Sequence, residues 1–133
     1  MAGPDPAVLR SLGQAGDGER KIPMIFFSES ALTEPSRLSE WAEWYKGHLA
    51  AMASVPGVLS AQRFAALDRG VPHSLAMYTV TSPDVFRSET YLGVRGMGPW
   101  VDLVDETQHR RNLFDGLDTA PIIPEGGALA VAD

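Results

Sequence analysis

Between Pro35 and Ser54, apolar side chains recur at Leu38, Trp41, Tyr45, His48/Leu49 and Met52, with Val55 just beyond, in steps of three and four. That spacing lines one face of an α-helix. Glu40, Glu43, Lys46 and Gly47 take the other face. Pro35 stands where a first-turn proline is tolerated, with Thr33 or Glu34 near the cap. Val55-Pro56-Gly57 stops the helix.

The runs on either side read as strands. Ile22 to Ser28 is a compact apolar run whose Pro23 suits an edge or a first-residue position. Val58 to Leu67 alternates, with Leu59, Ala61, Arg63, Ala65 and Leu67 on one face and Val58, Ser60, Gln62, Phe64 and Ala66 on the other. After the turn Asp68-Arg69-Gly70, Pro72 to Val80 sets Leu75, Met77 and Thr79 against Ala76, Tyr78 and Val80, and the two runs read as a hairpin. Thr81-Ser82-Pro83-Asp84 opens a second helix that runs to about Tyr91. Gly93, Gly96 and Gly98 break it, Pro99 to Val104 reads as a short extra helix, and Arg110 to Asp115 as the last strand. The order β-α-β-β-α-β is the ferredoxin-like split pattern, an α+β fold with an antiparallel sheet.

At 133 residues the chain has the size of one domain. Residues 21–118 carry it. Residues 1–20 are rich in Gly, Pro, Ala and charge and read as a flexible leader with a short helical turn around Ala7–Leu12; residues 119–133 read as a loose extension. The absence of cysteine excludes disulfides, thiolate metal sites and cysteine nucleophiles. His48, His73 and His109 show no metal-ligand spacing, nothing local supports haem ligation by His48 or His109, and residues 93–98 lack the context and lysine of a phosphate loop, so no metal or other cofactor is expected. The formal charge is −6, and Lys21 and Lys46 are the only lysines, so neither nucleic acid nor an anionic membrane is an expected partner. No apolar run approaches the roughly 20 residues needed to span a bilayer. Residues 1–10 lack the hydrophobic stretch of a secretory signal, which makes the cytoplasm the expected location.

The segments Trp41-x-x-Trp44-Tyr45-x-x-His48, Val55-Pro56-Gly57-Val58-x-x-Ala61-x-Arg63-Phe64 and Leu75-Ala76-x-Tyr78 together resemble the dimeric α+β barrel superfamily, and within it the EthD-like branch. Gly98-Pro99-Trp100 and the Arg110-Arg111 strand resemble that branch too, so the resemblance covers Ile22 to Asp118. It implies a homodimer in which each four-stranded sheet is covered on one face by helices while the opposite faces meet across a two-fold axis. It also implies a pocket in each protomer between the first helix, the sheet and the segment around Trp100. The superfamily hosts monooxygenases, cyclases, isomerases, lyases and haem enzymes, so the fold alone names no reaction.

Within this frame His48 is the candidate general base or acid, since an imidazole in an apolar stripe titrates low enough to stay neutral. The competing reading is a core-edge histidine bonded to a carbonyl. The resemblance favours His48 as functional. Arg63, mid-strand among apolar neighbours, needs a partner: a substrate carboxylate or enolate, or else Glu40, Glu43 or an acidic group across the dimer. Tyr78, Tyr45 and Tyr91 can donate to a developing oxyanion or simply fill the core. Trp41, Trp44 and Trp100 suit a flat apolar ligand or plain packing. Arg111 can face the pocket as an anion site or sit as a solvated charge, and His73 is expected to be exposed.

Two classes of function stay open. The first is a small cofactor-independent enzyme that moves a proton on an apolar or aromatic oxygenated molecule, of lyase, dehydratase, cyclase or isomerase type. Its catalytic set is His48, Tyr78 and Arg63, with substrate held by Trp41, Trp44, Tyr45, Tyr91, Trp100 and Arg111. A cofactor-free monooxygenase is its neighbouring variant, in which the carbanion reacts with dioxygen. The second class is a non-catalytic dimer that binds a hydrophobic ligand. The two separate on whether His48 faces a closed cavity.

Overall fold

In a computed structural model, which describes residues 8–9, 23–67, 71–114, 122–124 and 126–128, five strands form a single sheet. They are β1 (Val8–Leu9), β2 (Met24–Ser30), β3 (Val58–Ala65), β4 (Ser74–Val80) and β5 (Arg110–Phe114). Two helices, α1 (Leu38–Ala53) and α2 (Glu89–Val94), complete the order. The sheet runs β1-β3-β4-β2-β5 with every neighbouring pair antiparallel. Strands β3, β4, β2 and β5 therefore make the ferredoxin-like α+β sheet. The connections through α1 and α2 each step over one strand, as the split pattern requires.

The α1 stripe behaves as its period dictates: Trp41, Tyr45, Leu49 and Met52 are buried against the sheet. They meet Phe26 of β2, Ala61 of β3 and Ala76, Tyr78 and Val80 of β4 in the main core. Ile25, Phe64, Leu75 and Met77 form a second cluster on the other face, with Phe27 and Ile123 packed on it. Ile123 is fastened there by Gln62, whose Nε2 donates to the Ile123 carbonyl (2.7 Å) and whose Oε1 accepts from the Ile123 amide (3.1 Å).

Several expected boundaries move for local reasons. The first strand is shifted toward its C-terminal end and finishes at Ser30, while Ile22 lies outside the described residues. The strict alternation of β3 breaks at a register shift between Val58 and Ser60, which turns Val58 into the same core as Ala61. The helix expected over Ser82 to Tyr91 divides. Ser82 caps a 3-10 turn, Pro83–Arg87, and Ser88 then starts α2 afresh, its Oγ accepting from the Tyr91 amide (3.2 Å). The short helix after Gly98 is a 3-10 helix, Gly98–Leu103. Around residue 8 the expected helical turn is replaced by β1, which pairs with β3 at Val8↔Ala61 and Leu9↔Ser60. The turn Asp68-Arg69-Gly70, Asp115 and most of 119–133 lie outside the described residues. No helix among the described residues is long and apolar enough to cross a membrane.

Gly57 fixes how α1 hands over to β3. Its φ is +93°, and an added Cβ would lie 2.5 Å from Val85 Cγ2 and 2.8 Å from Thr81 Oγ1. Its carbonyl accepts from the Thr81 amide (2.8 Å), tying the turn to the end of β4. Gly57→Ala combines left-handed backbone strain with overpacking and is expected to cost about 2–4 kcal/mol in urea unfolding. An unchanged midpoint would contradict this account of the turn.

Candidate active site

Strand register sets the floor of the site. On the face beneath α1, one row across the sheet reads Ala61, Tyr78, Phe26, Leu113, and the next reads Arg63, Ala76, Ser28, Arg111. Tyr45 of α1 lies above these rows. Its hydroxyl is hydrogen-bonded to those of Ser28 and Tyr78. One turn further along α1, His48 stacks on Trp44 (ring centroids 5.0 Å apart, 12° between planes) and meets Tyr45 edge-on at 5.4 Å.

A cavity opens here, lined by Ser28, Tyr45, His48, Met52, Tyr78 and Arg111, with Phe26, Tyr91 and the segment from Arg95 to Met97 closing it. It spans about 320 Å³ up to its open mouth, but its interior leaves the centre of a water-sized sphere only about 20 Å³. That is room for a single water or a molecule of similar size. Met97, buried between the left-handed Gly96 and Gly98, forms part of its wall.

The electrostatics follow from this burial. Desolvation, helped by the positive charge of Arg111, lowers the His48 pKa to about 4, so the imidazole is neutral at ordinary pH and free to accept a proton. Burial raises the Tyr45 phenol and pushes the Tyr78 phenol well above the usual range, so both remain hydrogen-bond donors. A neutral base beside two donor phenols in a narrow cavity can take a proton from carbon or oxygen and steady the resulting anion.

The residues singled out in the sequence distribute unevenly. His48, Tyr45, Tyr78, Tyr91 and Arg111 share the cavity. Trp44 backs the imidazole and is itself braced by Gly98, where a Cβ would stand 3.3 Å from the indole. Trp41 is a core residue, wholly buried, in edge contact with Tyr45 at 5.6 Å. Trp100 is buried under the guanidinium of Arg37, 4.7 Å from its ring centre. Neither of these two lines the cavity.

Arg63 stands on the far side of Tyr45 from Arg111, three strands away in its row, or roughly 14 Å at the usual strand spacing. Its Nε donates to Ser74 Oγ (2.8 Å), and its guanidinium lies over the rings of Tyr45 (4.8 Å) and Trp41 (5.2 Å). It lines a separate hollow with Ser39 and His73. Glu40 and Glu43, weighed as its partners, instead pair with Arg37 (3.1 Å) and Lys46 (2.9 Å). His73 is half-buried rather than exposed, its Nδ1 accepting from the Leu32 amide (3.1 Å).

Sequence reasoning passed over Ser28, Met52, Arg95 and Met97. Ser28 carries a signal, as the first of the polar residues Ser28-Glu29-Ser30 that end an otherwise apolar strand. Arg95 and Met97 sit among glycines where no periodicity exists to place them.

No protein-family model matches this chain, and no curated protein matches it in sequence. Solved structures do match it in fold. SnoaB, a cofactor-independent oxygenase from Streptomyces nogalater, superposes with a TM-score of 0.54 at 17% identity, covering 75% of this chain and 98% of its own. A candidate monooxygenase from Shewanella loihica gives 0.55 at 19% identity, covering 73% and 96%. A candidate antibiotic biosynthesis monooxygenase from Bacteroides thetaiotaomicron gives 0.52 at 18% identity, covering 86% and 100%. At these identities the likeness establishes the ferredoxin-like α+β fold.

The depressed His48 pKa has a consequence for stability. An unfolded imidazole takes up its proton near pH 6.5, whereas the folded one does so only at about 4. As pH falls between these values the unfolded state binds the extra proton, so stability is full above the interval and declines through it. Wild-type protein is expected to lose about 2–3 kcal/mol more than His48→Phe across that interval in chemical unfolding. Parallel losses in the two proteins would show that the imidazole is solvated.

Proposed function

We propose that the protein is a cofactor-independent oxygenase acting on an aromatic substrate with an acidic benzylic CH₂ group. The observation that carries this reading is the neutral imidazole of His48 in a cavity it shares with the hydroxyls of Tyr45 and Tyr78. The fold shared with SnoaB supports it.

The chemistry balances with dioxygen as the only other reactant. His48 Nε2 or Nδ1 removes a proton from the CH₂ group, leaving a carbanion delocalised as an enolate. The phenols of Tyr45 and Tyr78 donate hydrogen bonds to the enolate oxygen. The carbanion gives its electron pair to dioxygen, forming a C–O bond and a peroxide that takes up the proton from His48. Loss of the remaining C–H proton then breaks the O–O bond. The products are a ketone and one water, so carbon is oxidised and dioxygen reduced. The protein supplies proton transfer, orientation and water exclusion.

The homodimer belongs to the same reading. Its support is the second apolar sheet face, where Phe114 and Ile122 stay 45% exposed beside the buried cluster. The EthD-like placement rests on the sequence resemblance alone. Proton transfer without oxygen, as in a lyase, dehydratase, cyclase or isomerase, would use the same base and donors, and Arg63 would act only through Tyr45.

Labelled dioxygen separates the readings. With a flat aromatic ketone bearing an acidic benzylic CH₂, the wild type is expected to consume dioxygen and place one labelled atom in the product. His48→Ala is expected to lower kcat by about 10²–10⁴. Turnover that proceeds unchanged without dioxygen would move the assignment to proton-transfer chemistry, and binding without turnover would move it to a ligand-binding dimer.

A further inference from the structure

The cavity beside His48 is lined by two arginines, Arg95 and Arg111, and by no carboxylate among the described residues. This runs against the charge of the chain as a whole, which is −6. Among the described residues the ion pairs use Arg37, Lys46 and Arg87, and Arg95 and Arg111 take part in none of them.

Each arginine has a local explanation on its own. Arg95 follows α2 at its C-cap, where a cation complements the helix dipole. Arg111 lies on the edge strand β5, where a solvated charge is ordinary. Neither explanation accounts for both lining one aromatic cavity. Arg111 is placed there by register: it stands opposite Ser28, which is hydrogen-bonded to Tyr45. Both arginines are solvent-exposed while lining the cavity, and the charge of Arg111 is near enough to act on His48. The walls behind them are aromatic and aliphatic, from Phe26, Tyr91 and Met97. A planar guanidinium fork matches a planar carboxylate in shape and charge.

We propose that the substrate of this cavity is an aromatic carboxylate, held by its anionic group at Arg95 and Arg111 with its ring directed inward toward His48. The proposal rests on reading this cavity as the substrate site and adds the substrate's permanent charge. A carboxylate outside leaves the opposite end of the molecule at the imidazole and the two phenols. The arginine pair also raises the local concentration of such an anion, in a salt-dependent way.

Binding to the full-length protein tests this without requiring turnover. The probes are 2-naphthoate and its methyl ester, followed by quenching of tryptophan fluorescence and by calorimetry. Naphthoate is expected to bind about tenfold or more tighter than the ester, with the advantage shrinking at high salt. Arg111→Gln and Arg95→Gln are each expected to cut naphthoate affinity several-fold and leave ester affinity unchanged. The double variant is expected to bind acid and ester alike, while its circular dichroism matches the wild type. Bound naphthoate is also expected to raise the His48 titration midpoint, because it neutralises Arg111; the ester is not.

Equal binding of acid and ester by the wild type would overturn the proposal. So would a preference that survives in the double variant, or failure of both probes to bind. An acid preference together with no dioxygen uptake would retain the anion site and reject the oxygenase reading, so the two claims fail separately.

Discussion

Desolvation of one imidazole organises this site. His48 lies flat against Trp44 and edge-on to Tyr45, on a helix whose apolar stripe is buried in the sheet. Removing water from a cation is costly, so burial holds the ring in its neutral form, and Arg111 adds to that bias. The fold bears this cost because the ring sits among the packed aromatic residues of α1. Trp44 also approaches Gly98 closely enough that a Cβ there would crowd its indole, which brings the loop after α2 up against the aromatic backing of His48.

The same physics separates two arginines that look alike in composition. Arg63 is buried, bonded to Ser74 and covered by the rings of Trp41 and Tyr45, which makes it part of the core. Arg111 occupies the far end of the same row, on the edge strand β5, where it lines a cavity and meets solvent. A strand's period of two places both on the helix-covered face; only the lateral order of the strands decides which one lines the cavity. The buried hydroxyls show a similar division. The Tyr45 hydroxyl engages those of Ser28 and Tyr78 at the cavity wall, whereas buried Ser30 Oγ and Trp41 Nε1 have no hydrogen-bond partner among the described residues.

The sequence was most informative where one periodicity dominated. The stripe from Trp41 to Met52 defined α1 and placed His48 on its inner face, and the paired runs of β3 and β4 gave the hairpin and its two faces. Periodicity was weaker where a local device took over, as at the Val58 register shift or at Ser88, whose cap divides one expected helix into two turns of different kind. It was silent on lateral neighbours. Nothing in the spacing of Ser28, Arg95 and Arg111 shows that the chain brings them together, because β5 reaches β2 only after the whole fold has closed. Arg63 stood out in sequence because an arginine in an apolar strand is conspicuous, yet that signal does not distinguish a ligand site from an internal polar anchor.

The account stands on the imidazole being neutral because it is half-buried and largely desolvated at this cavity. Nuclear magnetic resonance titration of the three histidine side chains, with His48→Phe to assign the signal, measures that directly. The account predicts a midpoint for His48 near 4, with a rise when Arg111 is replaced by glutamine. A midpoint at the ordinary value of 6.5 would contradict it, since a freely solvated imidazole would mean that the cavity neither excludes water nor poises a base.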